Sequence, residues 1–315
     1  MAKVNGVLGP IDTADLGFTL MHEHLVVANW SMRVAFPSWV DVKAEVAHAV
    51  EEVRAAKARG VRTIVDLTPI NLGRDVHVLR EVAERAGVNV IAATGLYWTE
   101  EPWIEGWEPD RLVDTLVRDV TDGIQGTTAK AGVVKAATDK LGVTELNRKL
   151  LTVAARLHRA TGVPLSTHTD AHNGSGLAQQ DVFEGEGVDL SRVVIGHCGD
   201  TEDIAYLEKI LARGSFIGLD RFGLDFVLPM EKRVATIVEL CRRGHTDRLV
   251  LSHDACCHID WVPKAMIPVL APRWNFRHIP DDVLPALRAA GVTEEEIRTM
   301  TVVNPRRVFE RQGAY

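Results

Sequence analysis

In the stretch Leu20-Met21-His22-Glu23-His24-Leu25, two histidines one residue apart close the first apolar, strand-like segment of the chain, predicted over residues 17–24. Side chains alternate between the two faces of a strand, so His22 and His24 share one face while Glu23 points to the other. Two imidazoles on one face can hold a metal ion, but histidines at a strand end also serve as ordinary polar residues. A metal site therefore requires further ligands from other strands, and Glu23 is not expected among them.

Strand-like and helix-like segments alternate along the remainder of the chain. The first helix, residues 42–59, carries apolar side chains at helical spacing and is followed by Gly60, a residue type that often ends helices. Residues 30–41, before this helix, are expected to form an irregular loop with aromatic side chains. After the first strand, strands are predicted over residues 62–68, 89–93, 131–136, 164–169, 192–196, 215–219 and 248–252. Further helices are predicted over residues 75–85, 110–123, 144–161, 176–185, 202–212 and 230–243, with terminal helices from Pro280 onward.

Eight strand-then-helix units of this kind predict an α/β fold, the (β/α)8 or TIM barrel. Apolar strands separated by helices indicate a parallel sheet whose outer side is covered, and eight of them suffice to close it. The 315 residues suit one such domain, 1–315, with C-terminal helices, and no linker or change in composition divides them. A doubly wound open sheet is the competing fold, but no Gly-x-Gly-x-x-Gly follows the first strand, where phosphate binding would need it.

The composition argues against several classes of function. With 36 basic and 43 acidic residues the formal net charge is −7, and no cluster of Lys and Arg could neutralise a run of phosphates, so nucleic acid is not an expected partner. The N-terminus lacks the apolar segment of a signal peptide, and no apolar run reaches the length of a membrane span, which predicts a cytoplasmic protein. The four cysteines are expected to be reduced, with a vicinal disulfide between Cys256 and Cys257 as the alternative.

Ionisable residues of the metal-ligand type stand at the ends of five predicted strands. In chain order they are His22 and His24, Lys135, His168, His197 and Asp254. The loops after the strands of a barrel form one shared mouth, so these side chains are expected to converge. Singly, a histidine here is explained by a hydrogen bond, and the aspartate by a helix cap. Together, four histidines and an aspartate would repel one another or lack partners unless a cation lay between them, so the set predicts a metal site.

The number of candidate ligands predicts two metal ions. A single ion is usually held by three or four protein ligands, and five candidates plus Lys135 exceed that number. An ammonium group cannot bind a metal, but a neutral, desolvated amine can react with carbon dioxide to give an anionic, bidentate carbamate. We therefore expect a carboxylated Lys135 to bridge the two ions, rather than a salt-bridged or snorkelling lysine. His253 and His258, which flank Asp254, either orient this ligand or serve only in packing.

The chain resembles the phosphotriesterase family of the amidohydrolase superfamily over nearly its whole length, and most of all its phosphotriesterase-like lactonase branch. The matching stretches are Thr19-Leu20-Met21-His22-Glu23-His24-Leu25, Val133-Val134-Lys135-Ala136, Thr167-His168-Thr169, Gly196-His197-Cys198-Gly199-Asp200, Leu219-Asp220-Arg221-Phe222-Gly223-Leu224-Asp225 and Ser252-His253-Asp254 with Trp261. The resemblance implies that the buried ion is held by His22, His24 and Asp254. It implies that the more exposed ion is held by His168 and His197, and that Lys135 and a hydroxide bridge the two.

The resemblance also implies how the site works. The bridging hydroxide would attack a substrate carbonyl polarised by the exposed ion, and Asp254 would accept the released proton. Tyr97 would hold the substrate oxygen, while Arg221, Cys256 and Trp261 would shape the pocket. A salt-bridged arginine and a barrel-lining aromatic residue are the plain alternatives for Arg221 and Trp261. Zinc is the expected metal, with cobalt, manganese or iron as alternatives, and a homodimer is the implied assembly.

The implied activity is that of a lactonase acting on N-acyl-homoserine lactones, and hence quorum quenching, with promiscuous phosphotriesterase activity. Residues 255–274 resemble the branch in which this segment forms an apolar channel for an acyl chain. The apolar residues that suit this use are Val262, Met266, Ile267 and Val269. Residues 98–107 depart from the family pattern, and their three tryptophans either line the pocket or form a subunit contact. The alternatives are a dedicated phosphotriesterase (aryldialkylphosphatase) or other carboxylic ester hydrolase, an amide hydrolase, and a non-catalytic metal-binding protein.

Overall fold

A parallel sheet of nine strands forms the centre of the computed structural model, which describes residues 2–311 and 313–315. An antiparallel hairpin of β1 (Lys3–Gly6) and β2 (Gly9–Asp12) precedes the sheet. The strands of the sheet are β3 (Phe18–Val27), β4 (Val61–Asp66), β5 (Asn89–Gly95), β6 (Val133–Ala137), β7 (Leu165–His168), β8 (Val193–Ile195), β9 (Phe216–Leu219), β10 (Leu249–Leu251) and β11 (Cys256–Ile259). From β3 to β10 each strand pairs with the next along the chain, as a (β/α)8 barrel requires.

The sheet closes on itself because the chain beyond β10 returns to β3. The amide of Asp254 donates to the carbonyl of His22 over 2.9 Å, and the amide of His24 donates to the carbonyl of Ala255 over 2.9 Å. The strand β11 then pairs in parallel with β3, with Cys256 opposite His24. The predicted barrel is therefore confirmed.

Helices follow the strands and cover the outside of the barrel. They are α1 (Trp30–Ala35), α2 (Val42–Lys57), α3 (Val76–Ala86), α4 (Pro102–Glu105), α5 (Pro109–Thr121), α6 (Glu145–Thr161), α7 (Ser175–Gly185), α8 (Ile204–Ala212), α9 (Met230–Arg242), α10 (Ile267–Leu270), α11 (Leu284–Ala289), α12 (Glu294–Arg298) and α13 (Asn304–Glu310). Local signals set their ends: the carboxylate of Asp75 accepts the amides of His77 and Val78 before α3, and Gly87 ends that helix at φ 65°. Among the described residues, no helix is long and apolar enough to cross a bilayer.

Both faces of the strands are buried, which explains their continuous apolar composition. Consecutive residues of a strand, such as Ile64 and Val65, belong to two different apolar clusters. One cluster lies between the sheet and the helices, and the other lies inside the barrel. The hairpin covers the end of the barrel where the strands begin, since the amide of Val7 donates to the carbonyl of Val90 and the side chain of Asn5 donates to the carbonyl of Ala131. The opposite end, where the strands finish, remains as the mouth.

Four features differ from the sequence-based expectation. Residues 30–35 form helix α1 instead of the predicted loop, and the side chain of Asn29 caps this helix. None of the residues of α1 is buried, so the sequence shows no apolar period that would predict a helix here. The segment after β10 contains β11, whose Cys-Cys-His-Ile sequence pairs because β3 runs on to Val27, three residues beyond the predicted end. The hairpin β1–β2 and the single turn α4 were not predicted, because each is too short to show a period. The predicted terminal helices are present over residues 279–310.

Candidate metal centre

The strand ends bring all six predicted ligands to one place at the mouth of the barrel. Five of them line a cavity of about 370 Å3, and they are His22, His24, Lys135, His168 and Asp254. The sixth, His197, is fully buried, and its Nε2 lies 2.7 Å from Nδ1 of His168. Convergence at the carboxyl ends of parallel strands is what the barrel geometry predicts.

Four of these residues form one group of the centre. The Oδ1 atom of Asp254 lies 3.1 Å from Nε2 of His24 and 3.3 Å from Nε2 of His22. The amine of Lys135 lies 2.7 Å from the same Nε2 of His22 and is 1% exposed. Three strands, β3, β6 and the extension of β10, thus direct side-chain atoms to one small volume.

A second group lies beside the first. The imidazole of His168 contacts that of His197 edge to face, with ring centroids 4.3 Å apart. The ring of His197 also stacks on that of His22 at 4.9 Å, and the Oδ2 atom of Asp254 lies 3.7 Å from Nε2 of His197. Asp254 therefore faces both groups, which makes them one continuous centre.

A carboxylate sets the tautomers of two imidazoles, and a third imidazole contacts a hydroxyl. The carboxylate of Asp220 accepts from Nδ1 of His22 over 2.9 Å and from Nδ1 of His197 over 2.8 Å. Nδ1 of His24 is bonded to the Oγ1 atom of Thr68 over 2.8 Å. With its proton on Nδ1, a histidine presents the lone pair of Nε2 to the centre, which is the ligating form.

Asp220 was missed as a functional residue by the sequence-based reasoning, although it directly follows strand β9. Its oxygens and ring nitrogens of His22 and His197 lie within 4.8 Å of one another, which is also compatible with a metal site. Both oxygens, however, already accept hydrogen bonds from the Nδ1 atoms, on the side away from Lys135 and Asp254. We therefore assign Asp220 to orienting the two imidazoles. A carboxylate at a strand end was the available signal.

Burial shifts the basic groups of the centre toward their uncharged forms. Burial lowers the pKa of His22 and holds that of His197 well below its usual value, and it lowers the pKa of His168 to about 4. Burial also lowers the pKa of the Lys135 amine to about 8. The lone pairs of the imidazoles and of the neutral amine converge beside the carboxylate of Asp254. Without a cation between them these lone pairs would repel one another, whereas a bound cation would be coordinated by all of them. The residues therefore fit a metal centre.

A chain of alternating charges runs from Asp254 into the barrel wall. Its Oδ2 atom accepts from Nε of Arg221 over 3.1 Å, and Nη1 of Arg221 donates to Asp200 over 2.8 Å. Asp200 in turn pairs at 2.8 Å with Arg233 of α9, which is 1% exposed. Arg221 and Asp254 hold positive φ angles of 64° and 52°, so the backbone is strained where it supports this chain.

The cavity above the centre has mainly apolar walls. Tyr97 places its hydroxyl 3.2 Å from Nδ1 of His168, and burial raises the pKa of this phenol, which therefore stays protonated. The ring of Trp261 lies over Tyr97 with centroids 6.2 Å apart. Further lining residues are Val27, Leu72, Leu224, Phe226, Val227, Cys256, Ile259, Val262, Ile267, Leu270, Ala271 and Trp274.

Several residues singled out in the sequence lie outside this cavity. Val262 and Ile267 line it as expected, but Met266 and Val269 do not, because the inner face of α10 presents Ile267 and Leu270. None of Trp98, Trp103 and Trp107 lines it either. The four cysteines are free thiols, so the alternative of a vicinal disulfide is not realised.

Neither flanking histidine directs a ring nitrogen to Asp254. His253 has Nδ1 bonded to Glu23 and Nε2 bonded to the amide of Ile279. His258 faces Glu45 with 3.4 Å between the nearest nitrogen and oxygen. Direct orientation of the Asp254 carboxylate by these rings is thus excluded by the geometry.

The sequence of this chain is similar to those of known proteins. The model of the phosphotriesterase family matches residues 2–309. A phosphotriesterase homology protein of Mycobacterium tuberculosis is 47% identical over an alignment of 327 residues that covers 100% of both chains. The aryldialkylphosphatase of Saccharolobus solfataricus is 43% identical over 303 residues, covering 95% of this chain and 96% of that protein.

A solved structure has the same fold. The structure of the phosphotriesterase from Mycobacterium tuberculosis superposes with a TM-score of 0.96 at 47% identity, covering 99% of this chain and 100% of the other. The whole barrel, and not only its centre, is therefore shared.

Proposed function

Because the chain belongs to the phosphotriesterase family of metal-dependent ester hydrolases, we propose that it is a lactonase with two metal ions. Its substrates are lactones such as N-acyl-homoserine lactones, so that its role is quorum quenching, and phosphotriester hydrolysis is a secondary activity. The observation that carries this proposal is the pairing of a polar floor with an apolar wall in one cavity.

The assignment of ligands follows the two groups of the centre. His22, His24 and Asp254, whose ligand atoms converge, would hold one ion, and the adjacent His168 and His197 would hold the other. A carboxylated Lys135 would bridge them, and zinc is the expected metal. When bound, the two cations supply Lewis acidity toward the substrate oxygen and lower the pKa of a water molecule.

The remaining steps belong to side chains of the protein. Tyr97 keeps its proton and donates a hydrogen bond to the substrate oxygen from its place beside His168. Asp254 accepts the proton released on attack, and Arg221 fixes the orientation of its carboxylate through Nε. Arg221 is itself held by Asp200, so the proton acceptor cannot swing away from the centre.

The apolar wall selects the acyl chain of the substrate. Leu224, Phe226 and Val227 line the cavity together with Trp261 and Cys256. Phe226 is 70% exposed and Trp261 is 59% exposed, so a chain leaving the centre would cover apolar surface that is now in water. Each buried methylene contributes about 0.8 kcal/mol, which favours long acyl chains over a bare lactone ring.

A dedicated phosphotriesterase is the second candidate, since the aryldialkylphosphatase of Saccharolobus solfataricus is 43% identical. The deciding experiment measures kcat/KM on metal-analysed protein for N-acyl-homoserine lactones of graded chain length, for paraoxon and for an amide panel. We expect kcat/KM to rise with chain length and to exceed that for paraoxon at least about tenfold, a difference of about 1.4 kcal/mol. A larger value for paraoxon or an amide would overturn the proposal, and absence of turnover throughout would indicate a metal-binding protein without catalysis.

A matched pair of variants tests whether the apolar wall of the cavity, rather than the metal centre, sets the preference for acyl-chain length. Phe226→Ala removes apolar surface at the opening and should flatten the dependence of kcat/KM on chain length. Leu8→Ala removes a comparably exposed apolar side chain in the hairpin at the far end of the barrel and should change nothing. Equal behaviour of the two variants would contradict the proposed acyl channel.

We also propose that the protein is a homodimer. Trp30, Ile70, Trp103 and Trp261 line one groove beside the mouth, and each is at least 37% exposed. Exposed aromatic side chains grouped in this way are typical of association surfaces.

A further inference from the structure

Glu23, between the two histidines of the first strand, is a fully buried carboxylate that the proposed mechanism does not use. It is 0% exposed and accepts four hydrogen bonds, all from residues 252–255. Its Oε1 atom accepts from the hydroxyl of Ser252 (2.8 Å), the amide of His253 (3.0 Å) and Nδ1 of His253 (2.6 Å), and its Oε2 atom accepts from the amide of Ala255 (2.9 Å). One side chain on β3 is thus hydrogen-bonded four times to the segment that carries Asp254.

These four hydrogen bonds lie where the regular pairing between strands is interrupted. Asp254 has φ 52°, a left-handed conformation that cannot continue a regular ladder between two strands. Its own amide donates to the carbonyl of His22, and the amides on either side of it both donate to Glu23. Three consecutive amides are therefore satisfied by β3, and regular pairing resumes at Cys256 opposite His24.

The hydrogen-bond directions make Glu23 the acceptor in all four contacts. The amide of Ile279 donates to Nε2 of His253 over 2.9 Å, so the proton of this imidazole is on Nδ1 and points at Glu23. The hydroxyl of Ser252 accepts from the amide of His22 over 2.8 Å and gives its own proton to Glu23. The four donors leave neither oxygen of this buried side chain without a partner, and the loss of one would be costly in the interior.

We propose that Glu23 is a positioning residue of the metal centre, holding Asp254 in the strained backbone conformation that aims its carboxylate at His22 and His24. It does this from the opposite face of the strand and binds no metal itself. Glutamine has nearly the same shape but cannot replace it, because one end of its amide is a donor and would face an amide or imidazole N–H.

The inference rests on the metal centre of the proposed function, and its test reads metal binding rather than turnover. Metal-free protein is titrated with Co2+, the visible absorption spectrum reports the coordination geometry, and mass spectrometry reports the number of ions per chain. The variants are Glu23→Gln and His253→Phe, which removes the shortest of the four hydrogen bonds. The control is Asp119→Asn, a carboxylate on α5 that pairs with Arg74 and Thr94 outside the barrel.

We expect Glu23→Gln to bind the ion held by His22, His24 and Asp254 about 10- to 100-fold more weakly, as changes to groups that orient metal ligands generally do. Its Co2+ spectrum should differ from that of the wild type, and His253→Phe should weaken binding in the same direction. Asp119→Asn should lose thermal stability alone. If Glu23→Gln is unstable, His253→Phe decides the outcome.

The results separate the two proposals. Wild-type affinity and spectrum in the folded Glu23 and His253 variants, with only a lower Tm, would overturn the positioning role and leave a purely structural one. A wild-type protein that binds no Co2+ would instead overturn the metal centre of the proposed function.

Discussion

Lys135 is the residue whose charge bears on the proposed bridge between the two ions. Its amine lies against Nε2 of His22 and is almost completely removed from water. Burial lowers its pKa from the ordinary lysine value to about 8, because the ammonium form loses its hydration. Since only the neutral amine reacts with carbon dioxide, the proposed bridge should form more readily as this group loses its proton.

This argument predicts how metal loading depends on pH. In metal-free protein supplied with bicarbonate and Zn2+, the rate at which metal is incorporated should rise as the pH passes through about 8, over roughly one unit on either side. Below that range the amine is protonated and loading should be slow, and above it the rate should level off. Mass spectrometry of the desalted protein measures the ions incorporated at each time.

Two variants provide the comparison. Lys135→Ala should fail to retain two ions at any pH, whereas Lys3→Ala, which removes an exposed lysine, should load like the wild type. A Lys135→Ala protein with two tightly bound ions and full activity would contradict the proposed bridge.

Among the strands, β5 and β6 approach each other with no room for a side chain at one point. Gly95 pairs with Lys135 and has φ 113°, a conformation that side chains rarely adopt. A Cβ atom at Gly95 would lie 2.2 Å from the carbonyl oxygen of Lys135. The glycine therefore allows β6 to bring Lys135 into the centre.

We predict that Gly95→Ala displaces Lys135 and weakens metal binding. The clash and the unfavourable φ together should lower the free energy of unfolding by about 1–3 kcal/mol. Gly106→Ala is the control, because a Cβ atom there meets nothing within 4 Å and the backbone φ is −75°. Thermal unfolding and metal content are measured for both variants; wild-type values for Gly95→Ala would refute the steric argument.

The molecule as a whole exposes a groove beside the mouth to which three tryptophans and Ile70 contribute. Trp30 comes from α1, Ile70 follows β4, Trp103 comes from α4 and Trp261 follows β11. Four separate segments thus contribute to one surface next to the mouth, which suits contact with a second copy.

We therefore predict that the wild type is a dimer in solution and that Trp103→Glu dissociates it. A charge introduced at the proposed contact would lose its hydration without gaining a partner, which costs several kcal/mol. Light scattering during size-exclusion chromatography measures the mass. Leu141→Glu, at an exposed leucine that does not line the groove, should remain dimeric; a monomeric wild type would rule out the proposed assembly.

The order of elements was predictable because each signal is local. Apolar strands and amphipathic helices of ordinary length show their period within a few residues, and the barrel follows from counting them. The short elements α1, α4 and β11 gave no such signal. The strand β11 forms only because β3 extends past His24 and offers an unpaired edge.

The sequence by itself determined the alternation of strands and helices, the barrel and the six candidate ligands at its strand ends, because each depends on residue type and spacing along one segment. The ligand roles stay predictions. Only the tertiary structure decided which groups orient these residues: Asp220 on His22 and His197, Glu23 on the backbone of Asp254, and Arg221 on its carboxylate. Glu23 and residues 252–255 are more than 200 positions apart, and no local pattern encodes a contact that arises only when the last strand of a barrel returns to the first.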